Sequence, residues 1–141
     1  RSPVGALGLM QLMPQTARET ARSAGVRFDN PKALLEAGTN IALGTTYLAQ
    51  MLARYDGNFA MSAAAYNAGP GRVRQWQGAQ CVPSERWIEA IPFTETRGYV
   101  RRALFYAAIY QRRLKLPIMK LNQVMPAIPA RDGSAAQGCA S

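Results

Sequence analysis

Two stretches of this 141-residue chain gather side chains that recognise a ligand without using charge. From Ser2 to Ala17, and again from Gly57 to Gly71, no charged residue occurs, although the chain carries 17 Lys and Arg and 8 Asp and Glu. Ser2, Gln11, Tyr66 and Asn67 fall in these windows and hydrogen-bond while neutral. Beside them stand the soft or flat apolar groups Met10 and Met13, and glycines that let a backbone bend sharply or approach a ligand closely. A neutral, multiply hydroxylated molecule suits such a surface. The same residues also admit a plainer reading, in which Leu7, Leu9, Met10, Leu12 and Met13 enter a core and the glycines make turns.

Composition narrows the chemistry. The chain has no histidine, so no serine or cysteine nucleophile can be activated by one. With Cys81 and Cys139 as its two cysteines, it offers no zinc ligand set, and neither a metal nor a cofactor is expected. Chemistry must run on carboxylates, hydroxyls, amides or arginine. The carboxylates are Asp29, Asp56, Asp132, Glu19, Glu36, Glu85, Glu89 and Glu95. A formal charge of +9, carried largely by 14 arginines, favours an anionic partner, either nucleic acid or a cell wall bearing carboxylates. Cys81 and Cys139 could close a disulfide in an oxidising compartment or remain thiols. The chain is long enough for one domain with a real core, and no apolar run approaches the length of a membrane span. It opens on Arg1 and not Met, so a piece of a longer precursor is expected, and the absence of a signal peptide carries no information about compartment.

The elements that must position these residues read as helices joined by short loops. Pro14 suits the first position of a helix ending near Ser23, with Gly25 at its stop. Asn30-Pro31 starts a short helical turn through Glu36. From about Thr39, Ile41, Tyr47, Leu48, Met51, Leu52 and Tyr55 recur at helical spacing until the Asp56-Gly57-Asn58 turn. Phe59 to Tyr66 is Ala-rich and compact, and Asn67-Ala68-Gly69-Pro70-Gly71 is expected to break that helix before a further turn from Arg72 to Trp76. Ser84 is positioned to cap a short helix, and Thr94 the last major one, which runs to about Leu114. On that helix Tyr99, Val100, Ala103, Ala107, Tyr110 and Leu114 share a face while Phe105 and Ile109 lie opposite, which suggests a central helix surrounded by neighbours. The expected division is a helical domain over 1–116 and an extended or disordered tail over 117–141, where Pro117, Pro126 and Pro129 interrupt any periodicity. There is no internal repeat and no phosphate-binding glycine motif.

Three ordered blocks then carry a resemblance. Ser2-Pro3-Val4-Gly5-Ala6 with Gly8-Leu9-Met10-Gln11 and Met13-Pro14, then Ala65-Tyr66-Asn67-Ala68-Gly69-Pro70-Gly71-Arg72-Val73, then Ile91-Pro92-Phe93-Thr94-Glu95-Thr96-Arg97-Gly98-Tyr99-Val100 are similar to the signatures of the soluble lytic transglycosylases. The resemblance covers Arg1 to about Leu114. It implies a mainly α, lysozyme-like domain with little or no sheet. The implied activity is cleavage of the MurNAc-GlcNAc β-1,4 bond of peptidoglycan with formation of 1,6-anhydro-MurNAc. One glutamate then serves as acid and base, and the muramyl 6-hydroxyl takes the place of water. In the family that glutamate stands in a Glu-Ser pair a short distance before the Ser-Pro block. No residue of this chain is therefore nominated as catalytic; the acid is expected ahead of Arg1, and the 141 residues alone are expected to be inert.

By the same resemblance Ser2 lies near the sugar bound beside the acid, Gln11 hydrogen-bonds ligand or backbone, and Met13 lines the cleft floor. Tyr66 points its hydroxyl toward the acid or the N-acetyl group, Asn67 shapes the turn beside it, and Glu95 is a second carboxylate holding ligand or cleft wall. Plainer roles stand beside these. Gln11 and Asn67 could satisfy buried backbone groups, and Glu95 in a first helical turn is favoured by the helix dipole alone. The implied partner is the peptidoglycan glycan strand, met in the periplasm without a membrane span or nucleic-acid partner; the oligomeric state is left open, with a monomer expected. Two other readings keep the fold and change the outcome: a muramidase that uses water, or an inactive wall-binding relative. A reading from another class is a basic helical module for nucleic acid or protein, since Arg97, Arg101 and Arg112 share one side of the last helix and Arg102 and Arg113 an adjoining strip; its plain counterpart is a solvated face.

Overall fold

The computed structural model describes residues 2–133, and within them the chain is helical with two isolated antiparallel bridges, Leu7 with Leu12 and Val82 with Ile128. Seven α-helices follow in order: α1 (Pro14–Ser23), α2 (Ala37–Arg54), α3 (Phe59–Ala68), α4 (Pro70–Trp76), α5 (Ser84–Ala90), α6 (Thr94–Arg113) and α7 (Leu121–Val124). A short 3-10 helix, Pro31–Leu35, precedes α2, and its Asn30 side chain accepts a hydrogen bond from the Lys32 amide. The chain forms two compact units, Arg1–Gln50 and Met51–Ser141.

In the first unit the charge-free opening segment is held by one buried amide. Asn40, on α2, is fully buried. Its Oδ1 accepts from the Met10 amide at 2.7 Å, while Nδ2 donates to the carbonyls of Leu7 at 2.9 Å and Leu34 at 3.0 Å. These bonds fix a tight loop in which Leu7 and Leu12 exchange both backbone hydrogen bonds, at 2.9 and 3.0 Å, and Leu12 enters the core. Gly8 is required at the bend. Its φ is +73°, and a Cβ there would stand 2.1 Å from Asn40 Nδ2 and 2.3 Å from the Leu34 carbonyl oxygen. Gly44 leaves comparable room on α2 for the Met10 side chain.

In the second unit α3 is the packed centre. Its run from Ala60 to Ala65 is buried throughout, and small side chains let α4 and α6 lie close against it. Asn58 caps its start, accepting from the Met61 amide. Ser62 Oγ donates to the carbonyls of Asn58 and Met51, so the one hydroxyl in this apolar run is satisfied.

The segment after α7 runs back over this unit. Val82 and Ile128 exchange backbone bonds, Asn58 Nδ2 and Ser84 Oγ both donate to the Pro126 carbonyl, and Ile128 and Ala130 are buried. Arg131 donates from Nε and Nη2 to the carbonyl of Gln77, and from Nη2 to that of Gln75, at the C-terminal end of α4. The pairing of Cys81 with Cys139 considered above involves a residue outside the described ones.

Four local expectations change. α3 continues through Asn67 and Ala68 and breaks at Gly69, whose φ of +89° ends one helix and begins the next. Ser84 is the first residue of α5 and not its cap, because its hydroxyl is turned to Pro126. Thr94 likewise begins α6 without capping it, and Phe93 is the capping residue with no side-chain bond. Lastly, α6 is central only over its first turns. Thr96 and Val100 are buried there, whereas Phe105, Tyr106, Tyr110 and Leu114 are exposed. With 20 residues α6 is about 30 Å long, while the 10-residue α3 and 7-residue α5 span only about 15 and 10 Å, too short to cover it.

Replacing Asn40 by Ala removes three partners at once and leaves the Leu7, Met10 and Leu34 backbone groups without them. A stability loss of about 3 kcal/mol or more is expected in urea unfolding. A loss below about 1 kcal/mol would show that the 7–12 loop does not depend on this amide.

Candidate functional site

The second charge-free window ends where α3 meets the start of α6, and the polar groups that gather there are neutral apart from one carboxylate. Thr96, almost wholly buried, donates from Oγ1 to Asn67 Oδ1 at 2.7 Å. The Asn67 oxygen thus lies on the Thr96 side, and Nδ2 approaches Glu95 Oε1 at 3.5 Å; the carboxylate, which only accepts, fixes which end of the amide is which. Glu95 is exposed and occupies the first turn of α6, where the helix dipole favours a carboxylate. The buried threonine thus holds the amide in place, and the amide reaches toward the carboxylate.

One residue before Asn67, the Tyr66 ring lies parallel to that of Tyr99, centroids 6.3 Å apart and planes 7° from coplanar. Tyr99 stands one turn after Glu95 on α6, so the stacked pair and the Asn67–Glu95 contact join the same two helices. Burial pushes the Tyr99 hydroxyl above the ordinary tyrosine range, because the phenolate is poorly solvated there. The N-terminus of α6 is also fixed from α5. Arg97 Nη1 donates to the Ile91 carbonyl at 2.8 Å, and Arg101 makes a two-pronged pair with Glu89.

Of the residues expected in the site, Tyr66, Asn67 and Glu95 are brought together in the second unit. Ser2, Gln11 and Met13 belong to the first. Ser2 Oγ accepts from the Ala6 amide at 2.9 Å, closing a turn around Gly5. Gln11 is exposed and has φ of +51°, and its Nε2 donates to the Gly8 carbonyl at 2.7 Å. Met13, 40% exposed, is the residue before α1. Sequence reasoning missed Thr96 and Tyr99 as parts of the cluster. Tyr99 follows Glu95 by four residues on one helix face, but the contacts of Thr96 with Asn67 and of Tyr99 with Tyr66 depend on the packing of α3 against α6, which spacing does not show. Among the described residues no group of three or more His, Cys, Asp or Glu side chains is placed to hold a metal ion.

The model of the transglycosylase SLT domain matches residues 1–86, and that of the soluble lytic transglycosylase helical domain matches residues 90–117. The soluble lytic murein transglycosylase of Escherichia coli K12 is 47% identical over 114 residues, which is 79% of this chain and 18% of the relative. An inactive glutamate-to-glutamine mutant of the lytic transglycosylase Slt from Pseudomonas aeruginosa superposes with a TM-score of 0.77 at 50% identity, covering 83% of this chain and 19% of that one. The 70-kDa soluble lytic transglycosylase in complex with bulgecin A gives 0.79 at 39% identity, covering 86% and 21%. The chain thus spans less than a quarter of the relatives it matches.

A mostly helical, 61%, lysozyme-like domain is the class that this fold defines. The chain belongs to the soluble lytic transglycosylase family.

The raised Tyr99 proton affinity has a measurable consequence. Above about pH 10 the unfolded chain loses a tyrosine proton that the folded protein keeps, so stability falls as pH rises through that range toward the folded value. Tyr99→Phe is expected to flatten this alkaline fall in thermal unfolding. An unchanged slope would contradict the raised proton affinity of the partly buried Tyr99 hydroxyl.

Proposed function

We propose that this chain is part of the catalytic domain of a peptidoglycan lytic transglycosylase that cleaves the MurNAc-GlcNAc β-1,4 bond and leaves a 1,6-anhydro-MurNAc end. Membership of the family supports the reaction class. The observation that carries the reading to particular residues is the Thr96–Asn67–Glu95 chain beside the Tyr66–Tyr99 stack. It offers amide, hydroxyl and carboxylate groups at the edge of a buried apolar helix, a surface suited to sugar hydroxyls and an N-acetyl group.

In the proposed reaction a carboxylic acid donates its proton to the glycosidic oxygen as the C1–O bond breaks. The resulting carboxylate then takes the proton of the muramyl 6-hydroxyl as O6 bonds to C1, so that no water is consumed. The group that performs both transfers is proposed to lie outside these 141 residues, and Glu95 is not a substitute for it. Ser2, Gln11 and Met13 of the first unit and Tyr66, Asn67 and Glu95 of the second are proposed to contact the glycan. Action on the cell wall in the periplasm follows from this reading. Arg97 and Arg101 are already engaged by the Ile91 carbonyl and Glu89, which weighs against a basic helix presented to nucleic acid.

The test compares the 141-residue chain with a version extended upstream, each assayed on purified peptidoglycan. Anhydromuropeptides are expected from the extended protein and none from the chain alone. Reducing-end muropeptides would indicate a muramidase, and no release by the extended protein would refute an enzyme. Within the extended protein, Glu95→Gln is expected to preserve the unfolding temperature and lower turnover at least about tenfold, the scale of one lost charged hydrogen bond. Unchanged turnover would reduce Glu95 to stabilising the start of α6.

A further inference from the structure

One fixed cation beside this cluster has no role in what precedes. Arg72, in the first turn of α4, is exposed, and its guanidinium carbon lies 5.2 Å from the centre of the Phe93 ring. Phe93 is held in turn by Trp76, edge-on at 5.2 Å with planes 72° apart, and the Trp76 carbonyl accepts from Trp87 Nε1 at 3.1 Å. The guanidinium therefore rests on an aromatic platform anchored to the core through Trp87, which is buried.

Among the described residues no carboxylate is paired with it. Arg27 pairs with Asp29 and Arg101 with Glu89, whereas the polar contact of Arg72 is a long one, 3.3 Å from Nη1 to Gln75 Oε1. A cation–π contact holds the guanidinium at the ring without using its N–H groups, and those not turned to Gln75 remain to grip a carboxylate. A solubilising surface arginine needs no such platform.

Its position ties it to the glycan-contacting groups. Arg72 follows Asn67 by five residues across the α3–α4 junction. Phe93 precedes Glu95 by two residues, a separation of at most about 7 Å along the backbone. The fork and the Asn67–Glu95 pair thus stand at the ends of the same three helices.

We propose that Arg72, seated on Phe93, is a specificity residue that binds a carboxylate carried by the glycan strand, either the lactyl carboxylate of a bare muramyl unit or that of an attached peptide. This rests on the glycan reading above. It adds that the site distinguishes an anionic wall polymer from a neutral amino-sugar chain.

Calorimetric titration of the chain with three probes tests it: a neutral GlcNAc tetramer, a peptide-free GlcNAc-MurNAc tetramer, and the same tetramer with peptide stems. Tighter binding of one or both carboxylate-bearing ligands is expected, with the advantage shrinking as salt rises. Arg72→Gln is expected to weaken those ligands about tenfold and leave the neutral tetramer unchanged. Phe93→Leu, which keeps the arginine and removes its platform, should give the same selective loss. Whichever carboxylate-bearing probe responds identifies the source of the group.

Equal loss for all three ligands, or no preference by the unaltered chain, would overturn the role of Arg72 while leaving glycan binding intact. Arg72-dependent binding of the carboxylate-bearing ligands without binding of the neutral tetramer would support Arg72 and count against the neutral-sugar contacts. Binding of none would overturn both. Unchanged thermal unfolding of each variant shows that the fold is kept.

Discussion

The arrangement of the second unit turns on one short hydrogen bond, from the buried Thr96 hydroxyl to the Asn67 carbonyl oxygen. It lies where the last turn of α3 meets the first turn of α6, so it joins the ends of two helices at the point where both carry their polar residues. An asparagine amide in a sparsely polar setting could take either orientation, and a threonine hydroxyl can donate or accept. The carboxylate of Glu95 removes the ambiguity, because it calls for the Nδ2 end of the amide. Threonine, asparagine and glutamate then form a directed chain from the core outward.

That chain is possible because of what surrounds it. The alanines of α3 bring α6 close enough for side chains from the two helices to touch, and Gly69 turns the backbone out of α3 two residues after Asn67 and into α4. The same turn carries Arg72 toward Phe93, the residue that caps α6. Two polar contacts and one aromatic platform thereby converge on a single helix start. The first unit solves its own positioning problem by comparable means, with the buried amide of Asn40 holding a loop whose bend only glycine can adopt.

Helix order through α6 and most of those boundaries were legible in the sequence because they rest on local signals such as Pro14, Gly25, Asn30-Pro31 and the Asp56-Gly57 turn, whereas the short α7, inside the segment expected to be extended or disordered, was not. The caps were less so. Ser84 and Thr94 have the chemistry of capping residues, but the capping positions fall one residue earlier, on Pro83 and Phe93. The Ser84 hydroxyl is also taken by the Pro126 carbonyl, far along the chain. Periodicity identified which α6 residues share a face, yet it carries no information about how long the neighbouring helices are, and so Tyr110 and Leu114 proved exposed. Tyr66, Asn67 and Glu95 could be nominated from their motifs. The partners that place them, Thr96 and Tyr99, required knowing that α3 and α6 are packed against each other.

A double-mutant cycle between Asn67→Ala and Thr96→Val, read in urea unfolding and in affinity for a GlcNAc tetramer, bears most directly on this chain of contacts. A coupling of about 1 to 2 kcal/mol in stability, with tetramer affinity falling as far in Thr96→Val as in Asn67→Ala, is expected if threonine acts by holding the amide. Additive effects on stability, or full affinity in the Thr96→Val variant, would contradict it.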